Sequence, residues 1–324
     1  MGMRSSKIRP TARAASKAPT HVAIPRAIAT KIDRLANDSN AQPRVLDLFA
    51  GCGGLSLGFE AAGCEISGAI EIDELAARSH GLNFYKNHTQ ELVELHGKAR
   101  DITKIEPDEF VKELSLGKPS EAFDIIVGGP PCQAYARVGR AKLREIAEHP
   151  EAFKIDPRGN LYLRYLHYIK ELMPLAVLME NVPDILNYGG HNIVQEIVET
   201  LDVMGYTSQY SLINSAHHGV PQMRDRVYMI AFRKELKTVP EFPRATHNCV
   251  LPSGYQGTRS VALKLIDQID GIDFAPADTG NSDLPAAVTT TEALSDLPPI
   301  TLHREGKLKR GARRFTDLAK AQTG

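Results

Sequence analysis

Between Arg44 and Phe232, short runs of Val, Ile and Leu alternate with longer amphipathic stretches, and most of the apolar runs stop at a glycine, a proline or a carboxylate. Val45–Phe49 reads as a buried strand, and the Gly-rich turn behind it opens a helix through Leu55–Ala62. Glu65–Glu71 reads as a second strand, followed by a helix over Asp73–Tyr85 capped by Asp73. Phe123–Val127 is a further strand. Leu161–Met173 is amphipathic, and strand Ala176–Glu180, helix Asn192–Met204 and strands near Gln209–Asn214 and Arg226–Phe232 follow it. Strands and helices in this alternation imply an α/β fold, a doubly wound and mostly parallel sheet. Ligands of such sheets bind outside the carboxyl ends of the strands. The residues that terminate each strand are therefore the candidates for function.

One terminus stands out. Phe123-Asp124-Ile125-Ile126-Val127 runs directly into Gly128-Gly129-Pro130-Pro131-Cys132-Gln133. Two prolines hold the backbone extended and remove its donors, so the turn presents the next side chain at the rim of the sheet. Cys132 is thereby a candidate nucleophile rather than a packing residue. Four cysteines (Cys52, Cys64, Cys132, Cys249) in 324 residues, with no C-x-x-C pair, do not make a disulfide framework. That usage fits a reducing, cytoplasmic compartment in which Cys132 stays free to react. No apolar run approaches the ~20 residues that span a bilayer, and the basic amino terminus lacks the apolar core of a secretory signal.

The first strand ends in Asp47-Leu48-Phe49-Ala50-Gly51-Cys52-Gly53-Gly54, a turn in which glycines let the backbone approach a ligand at a helix amino terminus. Ser56 occupies the place of the third glycine of a dinucleotide fingerprint, which weakens a generic dinucleotide reading. Glu71 ends the second strand twenty residues after Gly51, where a carboxylate can take ribose hydroxyls. Asp101-Ile102 is expected to follow a third strand and to flank an adenine ring. An adenosine-containing cofactor without phosphates fits this set better than NAD. At the ends of later strands stand Glu180-Asn181-Val182-Pro183 and Gly219-Val220-Pro221-Gln222-Met223-Arg224-Asp225-Arg226. Gln222, Arg224 and Arg226 alternate, so an extended segment puts all three on one face. Two guanidiniums near a cysteine and a glutamate would lower the thiol pKa and hold a polar ring or a phosphate.

Taken together, Asp47–Gly54, Pro130-Pro131-Cys132-Gln133, Glu180-Asn181-Val182 and Gln222-x-Arg224-x-Arg226 resemble, in order, the motifs of the DNA cytosine-5 methyltransferase family over roughly residues 44–232. The resemblance implies a Rossmann-like methyltransferase fold with S-adenosylmethionine as cofactor and double-stranded DNA as partner. It implies a cofactor site built from Asp47, Phe49, Gly51, Gly53, Gly54, Glu71, Asp101, Ile102 and Pro131, with Phe49 and Asp101-Ile102 at the adenine and Glu71 on the ribose. It further implies that Cys132 adds to carbon 6 of a flipped cytosine, Glu180 meets the ring nitrogen, Arg226 holds the base's carbonyl oxygen and Arg224 supports the nucleophile. Asn181 and Gln222 complete the catalytic set. The physical logic agrees: an aromatic carbon is a poor nucleophile until a thiolate adds to the ring, and the base must leave the stack to be reached.

Along the chain the expected divisions are a flexible basic leader over 1–43, containing a short helix near Ile28–Leu35, a cofactor-binding catalytic domain over 44–232, an extension over 233–300 leading toward a recognition region, and a truncated basic tail over 301–324. Residues 1–44 carry nine Lys/Arg against two Asp and residues 301–324 seven against two acids, so a net charge of zero hides basic ends on an acidic body. The basic, poorly periodic stretch 134–160 reads as a mobile loop able to close over a nucleotide. Ala134-Tyr135-Ala136 departs mildly from the family's pattern and is expected to tune loop contacts. Thr290–Ile300 resembles the lead into the family's recognition region, but neither that region nor the family's closing motif is evident. The expected function is accordingly cytosine-5 methylation by a catalytic half that works with a second polypeptide or a continuation. The same residues also fit a catalytically silent remnant or accessory subunit that binds S-adenosylmethionine or a partner chain, and the same chemistry on tRNA is a third reading.

Overall fold

The computed structural model of the chain describes residues 24–131, 161–266 and 273–297. Cys132, Gln133, the stretch 134–160 and the basic tail lie outside the described residues. The described residues build one six-stranded sheet in the order β2-β1-β3-β4-β6-β5. Its strands are β1 (Arg44–Leu48), β2 (Glu65–Ile70), β3 (Ile125–Gly128), β4 (Ala176–Asn181), β5 (Tyr206–Asn214) and β6 (Asp225–Arg233). β1 pairs in parallel with β2 and β3, and β3 with β4. β6 runs antiparallel to both β4 and β5, with Glu180 opposite Tyr228 and Ile213 opposite Arg226. The expected mostly parallel α/β sheet is therefore present, with one reversed strand.

Helices cover the two faces unequally. Apolar side chains of β1, β3, β4 and β6 pointing one way (Leu46, Ile126, Val177, Met179, Met229) join the main core with α5 (Pro107–Glu113), the short α6 (Pro119–Ala122), α7 (Leu161–Leu172) and α8 (Ile193–Val203). α7 brings Tyr162, Tyr165 and Tyr168, each at most 2% exposed. Two of their hydroxyls donate to backbone carbonyls, Tyr165 to Leu178 and Tyr168 to Ile105, so a large apolar ring is buried without stranding its polar end. On the opposite face α2 (Gly54–Ala61) packs over Val45, Ile66 and Val127. The β4–β6 half of that face is covered only in part: Leu178, Glu180, Arg226, Tyr228 and Ile230 alternate with buried residues and remain half-buried.

Three expectations change here. The leader is not flexible throughout, because α1 (Arg26–Asn37) extends beyond the expected helix at both ends and docks on the sheet's foot. Its Lys31 is 1% exposed and donates to the carbonyls of Leu172 and Met173 at the end of α7. Its Arg34 pairs with buried Asp124, which also takes the backbone N–H of Arg44. Second, no strand precedes Asp101. After α3 (Glu74–Tyr85) and α4 (Gln90–His96) the segment Gly97-Lys98-Ala99-Arg100 is too polar to serve as a buried strand. Arg100 is drawn down instead, its guanidinium bonding Leu95 O, Lys98 O and Glu113 above the Phe110 ring. Third, the weakly patterned stretch after β6 contains an eleven-residue helix, α9 (Ser253–Leu263), whose few apolar residues gave no clear periodic signal.

Candidate active site

The rim where β1, β3 and β4 end gathers most of the expected residues. At the end of β3, two glycines pass close to neighbouring strands, and the first leaves no room for a side chain. A Cβ on Gly128 would collide with the carbonyl oxygen of Leu48, and one on Gly129 would stand 3.2 Å from Glu180 Oε2. The Pro130 carbonyl then accepts from Asn181 Nδ2 at 2.8 Å, while Asn181 Oδ1 takes the Val182 N–H at 2.9 Å. Asn181, 5% exposed, thus ties the end of β4 to the proline turn that leads into Cys132. Pro131 is exposed at the rim.

Arg226, near the start of β6, reaches across to β4 and sets Nε 2.7 Å from Glu180 Oε1. The two side chains are 18% and 26% exposed, so the pair faces the crevice rather than the core. A second guanidinium bond, Nη1 to the Asp225 carbonyl at 2.7 Å, fixes the fork. Arg224 and Arg226 line one cavity of about 320 Å³ whose walls include Leu178, Ile213, Tyr228, Phe242 and Pro243. Gln222 does not join them. The extended run begins only at Asp225, and Gln222 sits in a bend where its N–H bonds the Val220 carbonyl and its own carbonyl accepts from Ser215. The expected three-residue alternation is correct for the two arginines and fails for Gln222, because Pro221 and the turn at Gly219 reverse the chain just before it.

At the end of β1, Phe49, Gly51 and Gly53 all adopt left-handed backbone, with φ of 62°, 56° and 98°. The turn hangs from β2: Phe49 and Ala50 both donate to the Ile70 carbonyl. Glu71 closes it by accepting from Gly51 N–H and Asp73 N–H, both at 2.8 Å, through different oxygens. Each oxygen keeps a lone pair for further donors. Ile72, beside Glu71, is 68% exposed, an apolar surface at this rim that a search for polar strand ends passes over. Gly51 and Gly54 border open space, since a Cβ on either meets nothing within 4 Å. Asp101 holds Thr103 and pairs with Lys104; burial alone would raise its pKa, but those bonds outweigh it and leave the carboxyl below its ordinary range.

Two expected cofactor contacts are placed elsewhere. Asp47 is 1% exposed and lies beneath the glycine turn, taking a 2.6 Å bond from Ser56 Oγ. Burial pushes its pKa up to about 6, Ser56 pulling the other way and Glu71 adding to the rise. Ile102, 4% exposed, belongs to the main core, where its carbonyl accepts from buried Arg164. Both are supports of the site rather than its surface: the strand's alternation turns Asp47 inward, and the Arg164 clamp pulls Ile102 down. Arg259 on α9 was not visible as a site residue. It bonds Asp225 Oδ1 at 2.8 Å and Leu212 O at 3.0 Å, bracing the segment that carries both arginines.

The profile of the C-5 cytosine-specific DNA methylase family matches residues 43–292. The chain belongs to this family. As a C-5 cytosine-specific DNA methylase family member it is similar to M.OihORF3336P of Oceanobacillus iheyensis, described as a type II methyltransferase, at 38% identity over 205 residues, 63% of this chain and 43% of that protein. It is 29% identical over 268 residues to the type II methyltransferase M.AquIA of Picosynechococcus sp., covering 80% of this chain and 91% of that one. Among solved structures, a protein of an E. coli prophage described as a DNA modification methyltransferase superposes with TM-score 0.50 at 25% identity, covering 80% of this chain and 56% of that one. The chain spans about half the length of the first of its curated relatives. No helix among the described residues is long and apolar enough to cross a membrane.

Proposed function

We propose that this chain methylates carbon 5 of cytosine in DNA with S-adenosylmethionine, through a covalent bond between Cys132 and the ring. The observation that carries this reading is the Glu180–Arg226 pair, held at 2.7 Å on the rim directly beside the Gly129–Pro130 turn that leads into Cys132. A carboxyl group and a guanidinium facing one crevice next to a nucleophile suit a pyrimidine's ring nitrogen and carbonyl oxygen. They do not suit a peptide or an ester, whose oxyanion asks for clustered donors alone.

The residues at the end of β1 and β2 fit the cofactor. Glu71 has acceptor capacity left for ribose hydroxyls, the space beside Gly51 and Gly54 is open, and Phe49 and Ile72 offer apolar contact for a base. Residues 47–56 contain no Lys or Arg to meet a phosphate. When bound, S-adenosylmethionine supplies an electrophilic methyl group. The chain's own residues make carbon 5 able to take it. Cys132 Sγ, as thiolate, adds to carbon 6, and the electron pair of the 5,6 double bond moves toward the ring nitrogen. Glu180, once its carboxyl has taken up a proton, delivers it to that nitrogen, and Arg226 neutralises charge on the neighbouring carbonyl oxygen. Carbon 5 becomes nucleophilic and bonds the methyl group as the donor's sulfur–methyl bond breaks, its electron pair staying on sulfur. Water then takes the carbon 5 proton, and the freed electron pair re-forms the 5,6 double bond and expels Cys132 as thiolate. The ring nitrogen returns its proton to Glu180, restoring the aromatic ring.

Choice of the target cytosine is assigned to polypeptide outside residues 44–232, supplied in the same chain or by a partner. Tritiated methyl transfer to duplex DNA, alone and with the carboxyl-terminal half of a longer relative added, tests the whole reading. Cys132→Ser is expected to abolish transfer while leaving cofactor binding within about twofold. A duplex carrying 5-fluorocytosine, which has no proton to lose at carbon 5, is expected to leave the chain covalently trapped. Cofactor binding with no transfer under any complementation would overturn catalysis in favour of an accessory role, and transfer to tRNA alone would reassign the substrate.

A further inference from the structure

The glycine turn rests on one face of α3, and that face has no role in the chemistry above. Positions 80, 83 and 84 share it, three and four residues apart. His80 Nε2 lies 3.0 Å from Ser56 Oγ, which in turn donates to Asp47 Oδ2 at 2.6 Å. His80 and Ser56 are fully buried and Asp47 is 1% exposed. Asn83 Nδ2 donates to the Cys52 carbonyl at 3.0 Å, within the turn itself. Phe84 stacks at a tilt on His80, 4.6 Å between centroids, and its ring occupies the place where a Cβ on Gly53 would fall.

We propose that His80 and Asn83 are positioning residues for the cofactor turn: they hold Phe49–Gly54 in its left-handed bends from below, and so set affinity for the nucleoside methyl donor without touching it. The inference rests on the cofactor reading above and adds to it the element that shapes the site. Hydrogen-bond direction supports it. Ser56 gives its proton to Asp47, so His80 donates to Ser56 through Nε2–H, and three buried groups form one directed chain from α3 through α2 to β1. Burial lowers the His80 pKa to about 4 and raises that of Asp47 to about 6, so at neutral pH the ring is uncharged and the carboxylate charged, as that direction requires. Glu71, the other charged group acting on Asp47, grips the same turn from above through Gly51 N–H. The turn is thus fastened from both sides.

The test compares His80→Gln with His80→Leu. A glutamine amide reaches as far as Nε2 and can donate to Ser56; leucine fills the space but cannot. Two readouts serve: amide hydrogen exchange at Gly51 and Gly53 in the ligand-free chain, and S-adenosylmethionine affinity by calorimetry. His80→Leu is expected to speed exchange at both glycines and weaken binding about tenfold, the effect of one lost hydrogen bond, with His80→Gln within about twofold of the parent. Asn83→Ala, altering a surface side chain, is expected to weaken binding similarly and serves if His80→Leu does not fold. Leucine and glutamine variants equal to the parent in both readouts would overturn the proposal. A parent chain that binds no S-adenosylmethionine would instead overturn the cofactor reading, while the exchange rates still report whether α3 holds the turn.

Discussion

Two adjacent glycines at the end of β3 give opposite expectations on substitution by alanine. Gly128 pairs with Leu48 on one side and Met179 on the other. A Cβ there collides with the Leu48 carbonyl oxygen and lies 3.1 Å from the Tyr165 ring. The first obstacle is backbone in a paired strand and cannot swing away. Gly128→Ala must therefore pry β1 from β3, at a cost of about 3 kcal/mol, the upper end for overpacking, out of the ~5–15 kcal/mol that holds a domain together. Gly129 meets only the end of β4, with Glu180 Oε2 at 3.2 Å and Glu180 O at 3.4 Å. Its φ is outside the left-handed region, and alanine suits the extended backbone required before a proline. Gly129→Ala is thus expected to fold with a stability change under about 0.5 kcal/mol, the range of substitutions that break no such feature. It should nonetheless displace the Glu180 carboxylate by a few tenths of an ångström and loosen its 2.7 Å pair with Arg226. Since ~1 Å of misplacement can cost 10²-fold in rate, a loss of about tenfold in single-turnover methyl transfer follows, with cofactor affinity unchanged. Urea unfolding and rapid-quench transfer at saturating cofactor measure the two effects. A Gly129→Ala chain with the parent's rate, or a Gly128→Ala chain with the parent's stability, would refute the reasoning.

Lys31 gives a pH-dependent expectation. Burial lowers its pKa from 10.5 to about 7, only partly countered by Asp124, so between those values the unfolded chain binds more protons and stability rises with pH; Lys31→Met should flatten that rise in urea titrations from pH 7 to 10. Replacing Arg164 by Met strands the Ile102 carbonyl, leaves the Ile105 carbonyl to Tyr168 and Glu106 to His167; a loss of about 2 kcal/mol is expected by denaturant unfolding. Arg259→Ala frees Asp225 from α9 and should slow single-turnover transfer several-fold while leaving cofactor affinity within twofold, the affinity being measured by calorimetry.

The strands, the two helices between Gly54 and Tyr85 and the two at Leu161–Leu172 and Ile193–Val203 were legible because each is short, apolar and punctuated: Asp73 and Asn192 cap their helices in the structure as side-chain chemistry suggests. The family was legible too, since its motifs occupy strand ends. Illegible features depend on what lies across the sheet. Nothing in Asp47-Leu48-Phe49 says that the aspartate turns under the loop while Phe49 packs half-buried against the main core. The polar segment before Asp101 stands where a third strand is expected, but Arg100 needs partners that only the fold provides. Lys31 looked like part of a solvated basic leader; its burial depends on carbonyls some 140 residues away. Arg259 sits in a helix too polar to announce itself, and its value comes from Asp225, a residue hidden between two conspicuous arginines.

The reversed strand β6 decides where the chain goes next. Parallel strands reach the rim with their last residues, whereas β6 delivers Arg226 with its second and finishes at the foot of the sheet. Nine residues of strand span about 30 Å, a distance the following segment must climb again. It does so over the half-covered face: Phe242 and Pro243 wall the cavity beside Ile230, and Thr246 and His247 donate to the His217 carbonyl. Residues 237–247 therefore act as a strap from foot to rim, closing over apolar strand surface on the way. The segment beyond His247 therefore sets out from the arginines' own edge of the sheet, near enough for Arg259 on α9 to return and bond Asp225 between them.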